Sequence, residues 1–328
     1  HRDLHSFPTR RSSDLYREAG TDFSALSESM REVQGGIRLT NETDSFEQNF
    51  YATRMAATAA RLYGIMLGYE PAGFHSSHGV AARFMTCMAT NADNLYTRHQ
   101  VLFTRPDAVT NWLRDYPLLD LRTNPLVDVA IYYPETMSQL DDGAFRYLYG
   151  WGFNPRAAEI RRRIDADFLD ERLIRAGFLD RYKVLVFCWG NIINADVQQI
   201  IDRWIRNGGV AIYPARNNQE TVEGDFKLFT AWENGDTGKG TFYRFQGVME
   251  PISFYGDFVE TALRKTPHLH RWTHAVLNIQ KPPRVYTSLL ENGTLLALNY
   301  NEEPVSMVLP NSEQVILPPF TVWHRLLP

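Results

Sequence analysis

The chain has 328 residues, 44% of them apolar and 13% aromatic, with a formal net charge of −4. That length suggests two or three domains with real cores. The mild acidity and the lack of Lys/Arg blocks argue against a nucleic-acid partner. No apolar run reaches the about 18 residues that a membrane span needs. The two cysteines, Cys87 and Cys188, make neither a disulfide framework nor a zinc quartet.

Residues 1–15, HRDLHSFPTRRSSDL, carry no apolar period and no signal-peptide h-region. The string looks like a translated sequencing adaptor and is read as non-native. On that reading the gene is cut upstream of Tyr16 and part of the protein precedes it. From Asp22 to about Arg122 helix and strand alternate. Residues 22–34 are helical, with Phe23, Leu26, Met30 and Val33 on one face. Residues 37–42 form a strand, 46–63 a long Ala-rich helix and 64–69 a second strand. A helix follows over 80–90, a third strand over 93–98 and a helix over 106–116. Units of about 28 residues suit successive βα units of a parallel sheet. A complete (β/α)8 TIM barrel takes about 250 residues, so these three units read as its strands six, seven and eight.

Glu70 closes the second of these strands, and Pro71 stops the strand there. A carboxylate at the C-terminal end of a barrel strand points into the mouth where barrel enzymes do their chemistry. The other reading is a capping or salt-bridging acid. Glu42 ends the preceding strand beside Asn41, and both are candidates for binding at the same mouth. Equally, Glu42 is an N-cap-like acid before the next helix, where Thr43, Asp44 and Ser45 form a cap cluster. Tyr96, Arg98 and His99 end the third strand as an aromatic platform with polar neighbours, or as core and ion-pair residues. His75 and His78 have no apparent third ligand, so they read as lining the substrate entrance. His268, His270 and His274 read as a solvated surface.

Residues 126–279 hold a second α/β segment. Strands over 127–133, 183–187 and 210–213, with a helix over 195–207 capped by Gly208 and Gly209, make a doubly wound, flavodoxin-like pattern. It lacks a Gly-x-Gly-x-x-Gly turn and a P-loop, so no nucleotide and no other cofactor is expected. Beyond Pro282 and Pro283 come short strands over 285–290, 294–300, 305–309, 314–317 and 321–326, with Glu291, Asn292 and Gly293 as a hairpin turn. This antiparallel β domain is small enough to need its neighbours.

The order of pieces resembles the β-galactosidases of glycoside hydrolase family 42. The residues that carry the resemblance are 127–134, 167–177, 182–190, 204–209 and the tail 296–300 with Pro318 and Pro319. With the adaptor at 1–15 set aside, it implies the last three βα units of a TIM barrel at 16–124, a flavodoxin-like trimerisation domain at 125–282 and a small β domain at 283–328. It further implies a homotrimer acting on a carbohydrate by retaining double displacement. Such chemistry needs two carboxyls about 5 Å apart, one nucleophilic and one acid/base. Glu70 falls at the nucleophile's place after strand seven, and Arg38 or Arg98 keeps it charged. The acid/base follows strand four, which lies before Tyr16, so this chain alone is expected to be inactive and poorly soluble, with an open strand edge. A bolder reading makes Glu42 and Glu70 the whole pair. The alternative function is a non-catalytic oligomerisation or carbohydrate-binding module of a degenerate glycosidase. A third reading, an amidotransferase-like Cys hydrolase, fails because the elbow at residues 213–216 has no Cys or Ser, leaving Cys188 as a buried strand-end residue.

Overall fold

The computed structural model describes residues 22–40, 43–70, 76–96, 106–140, 152–214, 218–245 and 251–327. The first group of elements is α1 (Phe23–Glu32), β1 (Gly36–Leu39), α2 (Phe46–Tyr63), β2 (Met66–Tyr69), α3 (Ser77–Thr90), β3 (Asn94–Leu95) and α4 (Pro106–Asp115). Local chemistry sets its boundaries. The Asp22 carboxylate accepts from the Ala25 amide at 2.8 Å to start α1, and the Ser45 hydroxyl accepts from the Gln48 amide at 3.3 Å to start α2. Gly64 ends α2 in the left-handed region, φ +70°. The three strands are parallel, with Arg38 opposite Gly68 and Gly68 opposite Asn94.

The second group is β4 (Val129–Tyr132), α5 (Glu135–Leu140), α6 (Phe153–Arg163), β5 (Asp167–Leu169), α7 (Glu171–Arg175), β6 (Val184–Val186), β7 (Ile192–Ile193), α8 (Ala195–Arg206), β8 (Val210–Tyr213), β9 (Glu220–Thr221), α9 (Lys227–Glu233), β10 (Thr241–Arg244), α10 (Phe254–Arg264) and α11 (Arg271–Leu277). Its five-stranded sheet is wholly parallel in the order β5-β4-β6-β8-β10. Counted within the sheet this is 2-1-3-4-5, the order of flavodoxin-like sheets. Side chains alternate between two cores, as a sheet covered on both faces requires. Val129, Ile131, Val184, Val186 and Ile212 join one; Ala130, Tyr132, Leu185, Phe187 and Tyr213 join the other. On the second side α8 buries Val197, Ile201, Trp204 and Ile205, spaced as one helical face. Gly209 lets the chain turn back under that helix, since a Cβ there would meet the Trp204 ring at 2.4 Å.

The third group is β11 (Val285–Leu289), β12 (Thr294–Asn299), β13 (Val305–Val308), β14 (Gln314–Leu317) and β15 (Thr321–Leu326). An antiparallel sheet β11-β12-β15 stands beside the hairpin β13-β14. This small unit packs on both others: Tyr286, Leu296 and Leu298 share a core with Phe84, Met85 and Met88 of α3.

A buried polar junction ties all three groups. Arg54 on α2 pairs with Asp165 at 2.7 Å and Asp167 at 3.0 Å. Arg161 on α6 lies 3.4 Å from Asp165 and donates to Thr287 O and Ser288 Oγ, each at 2.9 Å. Glu47 on α2 holds Arg162 through two contacts, at 2.6 and 2.8 Å, and accepts from the Tyr286 hydroxyl. Both units flanking α2 therefore grip it, and it is buried on nearly every side. No helix among the described residues is long and apolar enough to cross a membrane.

Candidate active site

Strand pleating divides the residues of the first sheet between two faces. Ile37, Leu39, Leu67 and Tyr69 turn toward the helices and are buried. The Tyr69 hydroxyl donates between them, 3.2 Å from Thr53 O and 3.1 Å from Thr90 Oγ1, and burial pushes its pKa up. Arg38, Met66, Gly68 and Asn94 take the opposite face, which no helix covers among the described residues. Met66 is 52% exposed there.

Glu70 follows β2 one step beyond Tyr69, so it stands on this open face at the carboxyl end of the sheet. Its amide donates to Leu39 O at 3.0 Å, extending the ladder to β1. Its Oε2 lies 2.7 Å from Arg38 Nη1, with side-chain exposures of 27% and 50%. A pair this exposed contributes little stability; what it does is fix the direction of the carboxylate. Tyr96 stands next to it, anchored by its amide to Tyr69 O at 2.8 Å. Its ring edge, Cε2, is 3.5 Å from where a Cβ on Gly68 would stand, so the glycine gives the ring its place. The structure thus brings Glu70, Arg38 and Tyr96 together. Asn41, Glu42, His75, Arg98 and His99 lie outside the described residues.

His78 does not sit where the sequence reading put it. Its ring centroid is 5.7 Å from Tyr300 and 5.3 Å from Phe320, in the contact between α3 and the β unit. The apolar helix face draws it inward, a pull that spacing alone does not reveal. His270 caps α11 by accepting from the Trp272 amide at 3.2 Å. Among the described residues no group of three or more His, Cys, Asp or Glu could hold a metal ion.

The sequence reading missed Asp44, taking it as part of a helix cap. Its carboxylate accepts from the Ser76 amide at 2.9 Å and hydroxyl at 2.5 Å and pairs with Arg83 at 2.7 Å. Burial opposes its ionisation, but Ser76 and Arg83 outweigh that and hold its pKa below the usual range. Gly79 makes the room, since a Cβ there would meet Asp44 Oδ1 at 2.0 Å. The contact pins the segment after β1 to the segment after β2, on either side of Glu70. The one legible signal was an Asp left spare beside Ser45, which caps the helix.

Cys188 is fully buried just past β6, and burial pushes its thiol up to about 12; Cys87 is buried likewise and pushed to about 11. Neither carries a thiolate at neutral pH. A thiol-specific disulfide reagent at pH 7.5 is expected to label neither cysteine until denaturant unfolds the chain. Rapid labelling of Cys188 in the folded chain would reopen a nucleophilic role.

No family model matches this chain, and no curated protein matches it in sequence. Its fold is similar to solved structures of glycoside hydrolases. Gan42B, a GH42 β-galactosidase from G. stearothermophilus solved as a catalytic mutant, aligns with a TM-score of 0.64 and 13% identity over 92% of this chain and 60% of its own. The cold-adapted β-galactosidase of Rahnella sp. R3 aligns with a TM-score of 0.64 and 13% identity over 92% of this chain and 61% of its own. An exo-carrageenase GH42 from Bacteroides ovatus aligns with a TM-score of 0.58 and 11% identity over 95% of this chain and 50% of its own. The chain therefore spans between half and about three fifths of the proteins it matches, and what it shares with these GH42 proteins is the fold.

Proposed function

We propose that this fold serves a retaining, β-galactosidase-like glycoside hydrolase. Glu70 is the nucleophile and Arg38 orients its carboxylate. Tyr96, with Asn41, Glu42, Arg98 and His99, contacts the sugar. The acid/base belongs to an earlier barrel strand outside these residues, and the assembly is a homotrimer built through the flavodoxin-like unit. The chain divides at 16–124, 125–282 and 283–328.

The observation that carries this reading is the placement of Glu70. It stands at the carboxyl end of a parallel three-stranded sheet, on the face opposite the buried Leu67 and Tyr69, paired to Arg38 and beside an exposed Tyr96. Catalytic groups of barrel enzymes come from that position. Double displacement passes through an ester between the nucleophile and the anomeric carbon. A 2-deoxy-2-fluoro-β-galactoside bearing a good leaving group slows hydrolysis of that ester enough to trap it. In the protein with its complete barrel, the peptide spanning Glu70 is expected to gain the mass of one fluorosugar. A label on a different carboxylate, with Glu70 unmodified, would overturn the assignment.

A further inference from the structure

The five-stranded sheet reverses around β4: the chain passes from β4 outward to β5, then returns across β4 to β6. In open α/β sheets such a switch leaves a crevice at the carboxyl ends of the strands, where ligands bind. A crevice of about 620 Å³ opens there, walled by residues that follow β4 and β5, by Asn194 at the start of α8, and by Tyr63 and Glu28 from α2 and α1. That volume is within the range of small-molecule sites.

The wall is prearranged and anionic. Glu171, 1% exposed, accepts from the Tyr132 hydroxyl at 3.0 Å, the Thr136 amide at 3.1 Å and hydroxyl at 2.9 Å, and Asn194 Nδ2 at 2.6 Å. The two guanidiniums at the rim are committed to acids. Arg172 holds Glu28 at 3.0 Å and Asp22 at 3.7 Å, and Arg175 holds Asp196 at 2.7 Å.

Two groups are left over. The Glu135 carboxylate has no hydrogen-bond or ion-pair partner among the described residues. Burial first, then the charges of Asp170, Asp22 and Glu171, push its pKa up to about 7. Tyr63 is 5% exposed, lines the crevice, and its hydroxyl has no hydrogen-bond partner among the described residues. A buried hydroxyl without a partner carries a desolvation penalty that a ligand relieves. The charges of Glu28, Asp170 and Arg172 act on that hydroxyl, which places it by the same wall.

We propose that this crevice binds a small organic cation with a primary ammonium head, which donates to Glu135 and to the Tyr63 hydroxyl. An ammonium offers three donors and a charge, matching two unused acceptors in an anionic wall. Its lining includes none of the groups placed around Glu70, and its test needs no glycosidase activity.

The test is calorimetric titration of the 328-residue chain at pH 8 with 1,4-diaminobutane. Two controls share its skeleton: 1,4-butanediol, which is uncharged, and 1,4-bis(trimethylammonio)butane, which is charged but has no N–H donor. Saturable one-to-one binding of the diamine alone is expected. Glu135→Gln should weaken it at least about tenfold and Tyr63→Phe about threefold. Circular dichroism establishes that each variant is folded, and the Tyr63→Phe arm stands by itself if Glu135→Gln does not fold. Three outcomes would overturn the proposal: no saturable diamine binding, equal binding of either control, or unchanged binding in the folded variants.

Discussion

Asp167→Asn is expected to destabilise the folded chain by about 3–5 kcal/mol, the usual loss when one partner of a buried ion pair is removed. Asp167 is 1% exposed. It faces Arg54 Nε at 3.0 Å and the Arg61 guanidinium, and it accepts from Thr58 Oγ1 at 3.1 Å and Tyr182 Oη at 2.8 Å. Burial opposes its charge, but Arg61 and Arg54 more than offset that and hold the carboxyl below the usual range. Asparagine keeps the shape, but Thr58 and Tyr182 donate to different carboxylate oxygens and the amide keeps only one, so the loss combines the charge with one hydrogen bond. Urea unfolding followed by far-UV circular dichroism gives the number. A loss below about 1 kcal/mol would mean that the arginines re-pair with Asp165.

The pH dependence provides a second check. Asp167 has a depressed folded pKa, so its contribution is present above the unfolded value of about 3.9 and is lost as pH falls through the folded one. The gap between wild type and Asp167→Asn should therefore narrow in acid. Asp170 acts in the opposite sense. Burial raises its folded pKa to about 6, so its contribution is greatest below the unfolded value and declines as pH rises from about 4 to about 6.

The same residue explains what the sequence could and could not reveal. The helix over 46–63 and the strands over 210–213, 314–317 and 321–326 were legible to the residue, because capping, a turn glycine or alternation marks their ends. β5 was not read as a strand. It opens on Asp167, a residue depleted in strands, and what makes an Asp tolerable there is Arg54 and Arg61 on a distant helix. The sequence offered two candidate arginines for Glu70; strand register sets Arg38 beside it, and Arg98 lies outside the described residues. The Asp44 link to Ser76 and the unpartnered Tyr63 hydroxyl depend on how loops and helices meet, which local pattern does not encode. The α/β order with an antiparallel end was legible because each grammar, alternating helix and strand or short strands and turns, is local.

If the proposed function holds, Glu70→Gln in the protein with its complete barrel is expected to lower kcat on an aryl β-galactoside by at least about 10⁴-fold, the scale seen when a nucleophile is removed. Glutamine is the same size and can still accept from Arg38 Nη1, now 2.7 Å from Glu70, so folding should be spared. It cannot form the ester on which double displacement depends. Arg38→Gln should cost far less, since it removes only the charge that steadies Glu70. Glu70→Ala with added azide separates the nucleophile from the acid/base. If Glu70 attacks the anomeric carbon, azide takes its place on the same face and the product is the α-glycosyl azide. If Glu70 is instead the acid/base, the covalent intermediate still forms and azide releases it as the β-glycosyl azide. If Glu70 only anchors Arg38 at a strand end, kcat stays within about tenfold of wild type and azide changes nothing. The reading therefore stands on the anomeric configuration of one product as well as on a rate.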